Sequence, residues 1–193
     1  MKNVKENGKG GNYATLKTNV ETVTAVMNDS TLHHLFLEEL RDIYWAEKYL
    51  VKSIPTMIKA CTSDDLREGL ESHLSETENH VMRLESVFQI IDEKVSTKKC
   101  EAMEGLVEEA KRLVDHTTKG SNVRDVAIIS SCQKIEHYEI ATYGTLCALA
   151  SVMGHAEAEE LLNATLKEEK NADTTLTKLA KGHINESAKM ETK

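Results

Sequence analysis

From residue 31 onward, apolar residues recur every three or four positions, which is the spacing of amphipathic helices. Four long stretches of this kind cover residues 31–60, 64–92, 122–153 and 156–181, and a shorter one covers residues 100–119. Pro55 lies inside the first stretch and should kink that helix or end it near Ser53. Gly120, Gly154 and Gly182 follow the later stretches and are expected to end them.

The order and spacing of these helices predict how they pack. Capping residues stand at three of the predicted starts: Asp29, Ser30 or Thr31 for the first long helix, Ser63 for the second, and Asn122 with Asp125 for the third. Very short connections make antiparallel hairpins of the first and second and of the third and fourth long helices. The longer stretch between the hairpins can return along the bundle. The pattern therefore predicts an all-α, ferritin-like four-helix bundle with one long crossover that contains an extra short helix.

Composition supports one helical domain with two tails. A single proline, nine glycines and two phenylalanines argue against a sheet-rich fold. Residues 1–28 are polar and lack periodicity, which favours a flexible N-terminal tail. The bundle is expected over residues 29–183, and residues 184–193 are expected to form a frayed C-terminal tail.

An acidic residue interrupts the inward-facing stripe of every long helix near its middle. On the third long helix the stripe reads Ile129, Cys132, Glu136, Glu139, Tyr143, Leu146, Ala150 and Met153. Glu47 interrupts the first helix, and either Glu76 or Thr77 lies on the stripe of the second. Glu169 interrupts the fourth, with Asp173 one step round the helix. A buried carboxylate is costly, so it must be neutralised, paired or bound to a cation.

The positions of these carboxylates suggest a shared metal site. Glu47 and Glu76 are 29 residues apart across the first hairpin, and Glu136 and Glu169 are 33 apart across the second. Such spacings can bring four carboxylates to one level of the bundle, where they would repel each other without compensation. We therefore predict a dinuclear centre of iron, or of manganese, with two ions per subunit. Glu76 and Glu169 would bridge the ions, and Glu47 and Glu136 would be terminal ligands.

The remaining ligands depart from the usual ferritin-like pattern, in which two helices carry Glu-x-x-His. The third residue after Glu76 is Asn79, and the third after Glu169 is Ala172. The substitutes on the same helix faces are His73, His80, Glu139 and Asp173. Glu139 is expected to face the site and to replace the ligand missing at Ala172.

Several residues near the predicted site have two interpretations. His73 is a ligand or a hydrogen-bond partner of one, and His80 is a ligand or a surface residue. Tyr143 is a packing residue or a hydrogen-bond donor to a ligand, and Arg83 pairs with a site carboxylate or is solvated. His137 is expected to point away from the site.

Net charge, apolar segments and cysteines restrict which partners and which cellular location are expected. A net charge of −8 and the lack of a basic stripe argue against a nucleic-acid partner. No signal-like apolar segment and no run of about 18 apolar residues is present, so neither secretion nor a membrane span is expected. Four cysteines without a CxxC pair favour free thiols in a reducing cytoplasm. The expected partners are metal ions, oxygen or peroxide, and a second copy of the chain in a homodimer.

Five stretches resemble the stress-associated ferritin-like protein family typified by YciF and YciE. They are "EELRDIYWAEKYLVKSIPTMIKAC", "HLSETENHVMRLESVF", "KKCEAMEGLVEEA", "KIEHYEIATYGTL" and "LLNATLKEEKNADTTLTKLA". The resemblance covers roughly residues 31–182. It implies a four-helix bundle with a dinuclear metal site and a ferroxidase-like activity, in which oxygen or peroxide oxidises iron(II).

Two other functions fit the same residues. The bundle would be a non-catalytic structural or interaction protein if its acidic core pairs with Arg, His or Lys. It would be a manganese-dependent, peroxide-disproportionating enzyme if the bound metal is manganese. Metal content separates the first alternative from the di-iron hypothesis, and oxygen evolution from peroxide identifies the second. No catalytic residue beyond the metal ligands is assigned.

Overall fold

The computed structural model describes residues 30–191, which form six α-helices and one π-helical turn. The helices are α1 (Thr31–Ala60), α2 (Asp64–Ile90), α3 (Glu101–Asp115), α4 (Asn122–Val152), α5 (Ala156–Leu179) and α6 (Asn185–Met190), and the π-helical turn Ala180–Ile184 joins α5 to α6. None of the helices within this described part combines the length and apolar character of a membrane span.

The chain divides into two compact units, Met1–Leu35 and Phe36–Lys193. In the described part of the first unit, the Ser30 hydroxyl accepts a hydrogen bond from the His33 amide at the start of α1. Ser30 therefore satisfies one of the amides that a helix start leaves open, as the sequence predicts. The predicted tail at residues 1–28 lies outside the described residues.

The second unit is the predicted four-helix bundle, built from α1 after its first turn, α2, α4 and α5. Residues 61–63 join α1 to α2 and residues 153–155 join α4 to α5, so each pair is a hairpin. The crossover between α2 and α4 carries α3, which packs against α4. Helix α5 contacts both α2 and α4, so it brings the two hairpins together.

The apolar core of the bundle has two clusters, one toward each end. On α2, Leu70 belongs to one cluster and Leu84 to the other, and on α5 the corresponding residues are Leu176 and Leu162. Burial of such side chains contributes about 25 cal/mol for each Å² of apolar surface removed from water. The polar residues of the candidate site lie between the two clusters along these helices.

One helix end differs from the sequence-based prediction. Helix α1 ends at Ala60, as its periodicity predicts, and of the two effects expected of Pro55 the end near Ser53 is not observed. The proline ring removes one amide donor, but Ile54 and Met57 on either side are buried in the core and hold this turn in place. The helix that should stop at Gly182 instead passes through the π-helical turn and α6.

Packing and capping explain why the chain stays helical after Gly182. Ile184 is fully buried in the π-helical turn, which fixes that turn against the bundle. Beyond α6, the Glu191 carboxylate accepts hydrogen bonds from the backbone amides of Asn122 (2.7 Å) and Val123 (3.3 Å) at the start of α4. The C-terminal segment thus satisfies amides that α4 leaves open.

Asp125 joins the two hairpins rather than capping its own helix. The N-cap of α4 is Ser121, whose hydroxyl accepts from the Arg124 amide. Asp125 is fully buried, and its two carboxylate oxygens accept from the amides of Thr62 and Ser63, each at 2.8 Å. One side chain of α4 therefore fixes the loop between α1 and α2.

Replacing Asp125 by Ala should lower the free energy of unfolding by about 2–4 kcal/mol, because two backbone amides lose a charged acceptor inside the protein. Urea denaturation checks this. The matched control is Asp115→Ala, at an exposed position at the end of α3, where we expect a change below about 0.5 kcal/mol. Equal effects of the two substitutions would contradict a bridging role for Asp125.

Candidate metal centre

Six polar side chains are buried together at the middle of the bundle. They are Glu47 on α1, His73 and His80 on α2, Glu136 and Glu139 on α4, and Glu169 on α5. Each is at most 7 % exposed, which is uncommon for residues that carry charge. Their spacing along the helices explains the convergence, because residues three, four or seven apart share one face of a helix.

Potential ligand atoms of these residues form two groups. His73, Glu136, Glu139 and Glu169 form one group, and in the other Glu169 is joined by Glu47 and His80. Within each group, the potential ligand atoms all lie within 4.8 Å of one another. Because Glu169 belongs to both groups, its carboxylate is placed between two adjacent positions for a cation.

Both histidines lie against carboxylates. Nε2 of His73 is 3.3 Å from Oε1 of Glu136. Nδ1 of His80 is 2.9 Å from Oε1 of Glu169 and 3.4 Å from Oε1 of Glu47. The contact between His80 and Glu169 is short but lacks the direction of a hydrogen bond, so both atoms remain open to another partner.

The carboxylates are incompletely satisfied. Oε2 of Glu47, Oε2 of Glu136 and both oxygens of Glu139 and Glu169 are buried without a hydrogen-bond partner. Within residues 30–191, no Lys or Arg forms an ion pair with any of these four residues. Leaving so many buried acceptors unpaired costs several kcal/mol, and a bound cation would remove that cost. The four carboxylates and two imidazoles are a donor set that suits iron or manganese.

Burial and mutual repulsion shift the titration of the carboxylates. Burial raises the pKa of Glu47, and burial together with the charge of Glu169 raises the pKa of Glu136 and Glu139 well above the ordinary value. Burial opposes ionisation of Glu169 as well, but the nearby His80 and His73 outweigh it and lower its pKa. In the metal-free cluster, ionisation is therefore favoured at Glu169 and opposed at Glu47, Glu136 and Glu139.

His80 supplies positive charge to the metal-free cluster. Burial alone would lower the pKa of this imidazole, but the adjacent Glu169 and Glu47 raise it to about 10. A cation bound by the same carboxylates would compete with that proton.

An additional carboxylate, Glu168, orients His80. Arg83 donates two hydrogen bonds to Glu168 and lowers the pKa of that carboxyl below its ordinary value. The ionised Glu168 then accepts from Nε2 of His80 at 2.9 Å, which leaves Nδ1 of the ring to face Glu47 and Glu169. Sequence reasoning missed Glu168, although Arg83 lies three residues after His80 on the same face of α2.

Tyr143 orients a second carboxylate of the cluster. Its hydroxyl is fully buried and donates to Oε1 of Glu47 at 2.5 Å. Burial and the charge of Glu47 raise the pKa of Tyr143 well above its ordinary value, so the hydroxyl keeps its proton and remains a donor. Of the two sequence-based interpretations of Tyr143, the hydrogen-bond donor is the one observed.

Two predicted site residues lie outside both groups. The buried stripe of α2 runs through Thr77, and Glu76, one residue earlier, keeps a side chain that is 33 % exposed. Glu76 contacts only the outer side of the cluster, with Oε2 3.7 Å from Nδ1 of His73. Asp173 accepts a hydrogen bond from the Gln133 amide at 3.0 Å, because its position on α5 is rotated away from that of Glu169. Neither Glu76 nor Asp173 contributes an atom to the two groups, and their role as metal ligands stays a prediction.

The neighbours on α4 have the predicted orientations. Glu139 is 1 % exposed and lies in the group with Glu136. The side chain of His137 is 70 % exposed and points away, with Nε2 3.3 Å from Asp173.

Comparisons with known proteins give consistent matches. The family described as "Domain of unknown function (DUF892)" matches residues 31–189. Protein YciF of Escherichia coli (strain K12) is 41 % identical over 163 residues, which cover 84 % of this chain and 98 % of YciF. The solved structure of the E. coli stress protein YciF matches with a TM-score of 0.76 at 41 % identity, over 81 % of this chain and 98 % of that chain. YcfI of Rhodopseudomonas palustris, described as a candidate structural protein, matches with a TM-score of 0.74 at 42 % identity, over 77 % of this chain and 94 % of that one.

In the metal-free protein, the free energy of unfolding of Glu139→Gln should increase relative to that of wild type as pH rises. The pKa of Glu139 is raised in the folded state, so above the ordinary value of 4.5 the unfolded chain releases a proton that the folded chain keeps. Folding stability therefore falls with rising pH, and glutamine removes this contribution because it cannot ionise. Urea denaturation of both proteins at pH 5 and pH 8 measures the difference.

The matched control is Glu78→Gln, which removes one charge from an exposed position on α2. The difference in free energy of unfolding between this variant and wild type should be the same at both pH values. A constant difference between Glu139→Gln and wild type from pH 5 to pH 8 would contradict the raised pKa.

Proposed function

Because the chain belongs to the DUF892 family typified by YciF, and because six buried ligand-type side chains converge in its core, we propose that it is a dinuclear metal-binding protein that oxidises iron(II). The observation that carries this proposal is the position of Glu169, which is shared by both groups of ligand atoms. A carboxylate shared in this way is suited to bridge two ions.

The residues divide into two sets around that bridge. Glu47 and His80 would complete one metal position, and His73, Glu136 and Glu139 would complete the other. The assignment keeps Glu169 as a bridge and Glu47 and Glu136 as terminal ligands, as expected from the sequence. It adds His73, His80 and Glu139 as further ligands and omits Glu76, which was expected as a second bridge. Two iron(II) ions held there would supply two electrons, one from each ion, and oxygen or peroxide would accept them together with two protons.

The protein's own groups would prepare the site before any metal binds. Tyr143 holds Glu47, and Glu168, itself held by Arg83, directs His80 toward the carboxylates. Groups held in this way lose little freedom on binding, which favours affinity and a defined distance between the ions. The apolar clusters on either side limit the access of water along the axis of the bundle.

The purely structural alternative is less well supported. YcfI is described as a candidate structural protein, and a bundle can be stabilised by buried ion pairs. Here, however, six carboxylate oxygens of the cluster lack a hydrogen-bond partner, and within residues 30–191 the only basic side chains in ion-pair contact with these carboxylates are histidines. A cluster selected only for stability would be expected to satisfy these oxygens or to replace them with apolar groups.

The physiological setting follows by analogy with the relative that is described as a stress protein. We propose an oxidative-stress role in the cytoplasm, in which removal of iron(II) limits its reaction with peroxide. A homodimer is the proposed assembly. Manganese with peroxide disproportionation remains the second candidate function, because carboxylate and imidazole ligands bind manganese as well.

Metal analysis of the purified protein should find two iron ions, or two manganese ions, per chain. Glu169→Ala should bind fewer than two, since it removes the shared ligand, whereas Glu47→Gln should retain an ion at the position formed by the other group. At a free metal concentration 100 times Kd, each occupied site should stabilise the wild type by about 2.7 kcal/mol, seen as an increase in Tm. The absence of both bound metal and a metal-dependent rise in Tm would contradict a metal centre.

The iron-loaded protein should consume oxygen or peroxide as it oxidises iron(II), and Tyr143→Phe should keep the bound iron but oxidise it more slowly. The reason is that the variant keeps the ring but loses the hydrogen bond that holds Glu47. Stopped-flow absorbance of iron(III) formation measures the rate. Evolution of oxygen from peroxide by the manganese-loaded protein, with no iron(II) oxidation, would favour the second candidate.

A further inference from the structure

A cavity of about 310 Å³ lies between α2 and α5 and leads toward the candidate centre. Its lining begins at Asp65, which is exposed on the first turn of α2, and ends at His73 and Glu136, which are buried. The volume is enough for several water molecules, each of which occupies about 30 Å³ in the liquid. A small hydrated solute could therefore reach the buried cluster by this route.

The lining of the cavity favours a cation. Asp65, Glu68 and Glu76 line it on α2, and Glu136 closes its inner end. Among the residues that the structure describes, no lysine or arginine lines it. Acidic side chains around a low-dielectric cavity raise the local concentration of cations and the rate of their association. The same field disfavours an anionic ligand.

His73 stands at the point where the cavity meets the cluster. Nδ1 lies 3.7 Å from Oε2 of Glu76 on the outer side, and Nε2 lies 3.3 Å from Oε1 of Glu136 on the inner side. The residue is 7 % exposed, and Nδ1 has no hydrogen-bond partner. A buried, unpartnered nitrogen beside a carboxylate is suited to receive a ligand from the cavity.

Small residues keep the passage open. Ala172 lines the cavity three residues after Glu169, where the usual Glu-x-x-His pattern would place a bulky ligand. Gly69 lines it from α2, and a β-carbon there would lie 3.8 Å from Leu179. The departure from the usual ligand pattern therefore coincides with an open path.

We propose that this cavity is the entry route for the divalent cation, and that Glu76 and His73 hold the cation in transit before it reaches Glu136. The inference rests on the proposed function, because the cation must have a destination in the cluster. It assigns Glu76 a role in the rate of metal uptake rather than in the final coordination.

Cobalt(II) uptake by the metal-free full-length chain tests the proposal, with stopped-flow absorbance as the measurement. At low ionic strength, Glu76→Gln should slow uptake about fivefold, because one charge is lost from the route, and the difference should shrink as salt is added. Ala172→Leu should slow uptake at every ionic strength, because it narrows the passage. Glu78→Gln, the matched control, is exposed on α2 but is absent from the cavity lining, and its rate should stay within about 1.5-fold of wild type.

Equilibrium dialysis separates the outcomes. Wild type, Glu76→Gln and Ala172→Leu should all bind two cobalt ions, and the rise in Tm with cobalt confirms that each variant is folded. Equal uptake rates in wild type and Glu76→Gln would overturn the entry route while leaving the metal centre in place. Binding of fewer than two cobalt ions by Glu76→Gln would identify Glu76 as a permanent ligand and would also overturn the transit role. A wild type that binds no cobalt would remove the proposed function itself.

Discussion

The structure depends on the burial of four carboxylates, Glu169 and three around it, in a layer between two apolar clusters. Burial and the short range between these carboxylates oppose their joint ionisation, and together they raise the pKa of Glu136 and Glu139. Within the described residues, the basic side chains in ion-pair contact with them are imidazoles. The layer therefore lowers the stability of the metal-free bundle, and a cation bound there would remove that cost.

Much of the surrounding structure holds this layer in position. Tyr143 and Glu168 each fix one member of the cluster, and the partner of Glu168 is Arg83, which is partly exposed. Further from the site, Asp125 attaches α4 to the loop that begins α2. These contacts set the relation between the hairpins, so residues from α1, α2, α4 and α5 meet at one level.

The departure from the usual ligand pattern has a structural counterpart. Ala172 occupies the position of a missing histidine on α5, and the space there belongs to a cavity that reaches the surface. On the other side of the cluster, Glu139 adds a buried carboxylate from α4 to the group that contains Glu169. The candidate site therefore has open space on α5 at the position where the usual pattern has a ligand.

The sequence by itself determined the helices, their order, the two hairpins and the mid-helix level of the polar residues, because apolar periodicity and short loops are local properties. It also indicated Glu47, Glu136, Glu139 and Glu169 as inward-facing. Only the tertiary structure decided whether Glu76 or a neighbouring residue of α2 faces the interior of the bundle. Adjacent helical residues differ by about 100° in direction, and the rotation of α2 that buries Thr77 is set by its packing against α5. The pairing of His80 with Glu168 likewise joins residues 88 positions apart, and such a contact depends on the register between helices, which the periodicity of a single helix does not contain.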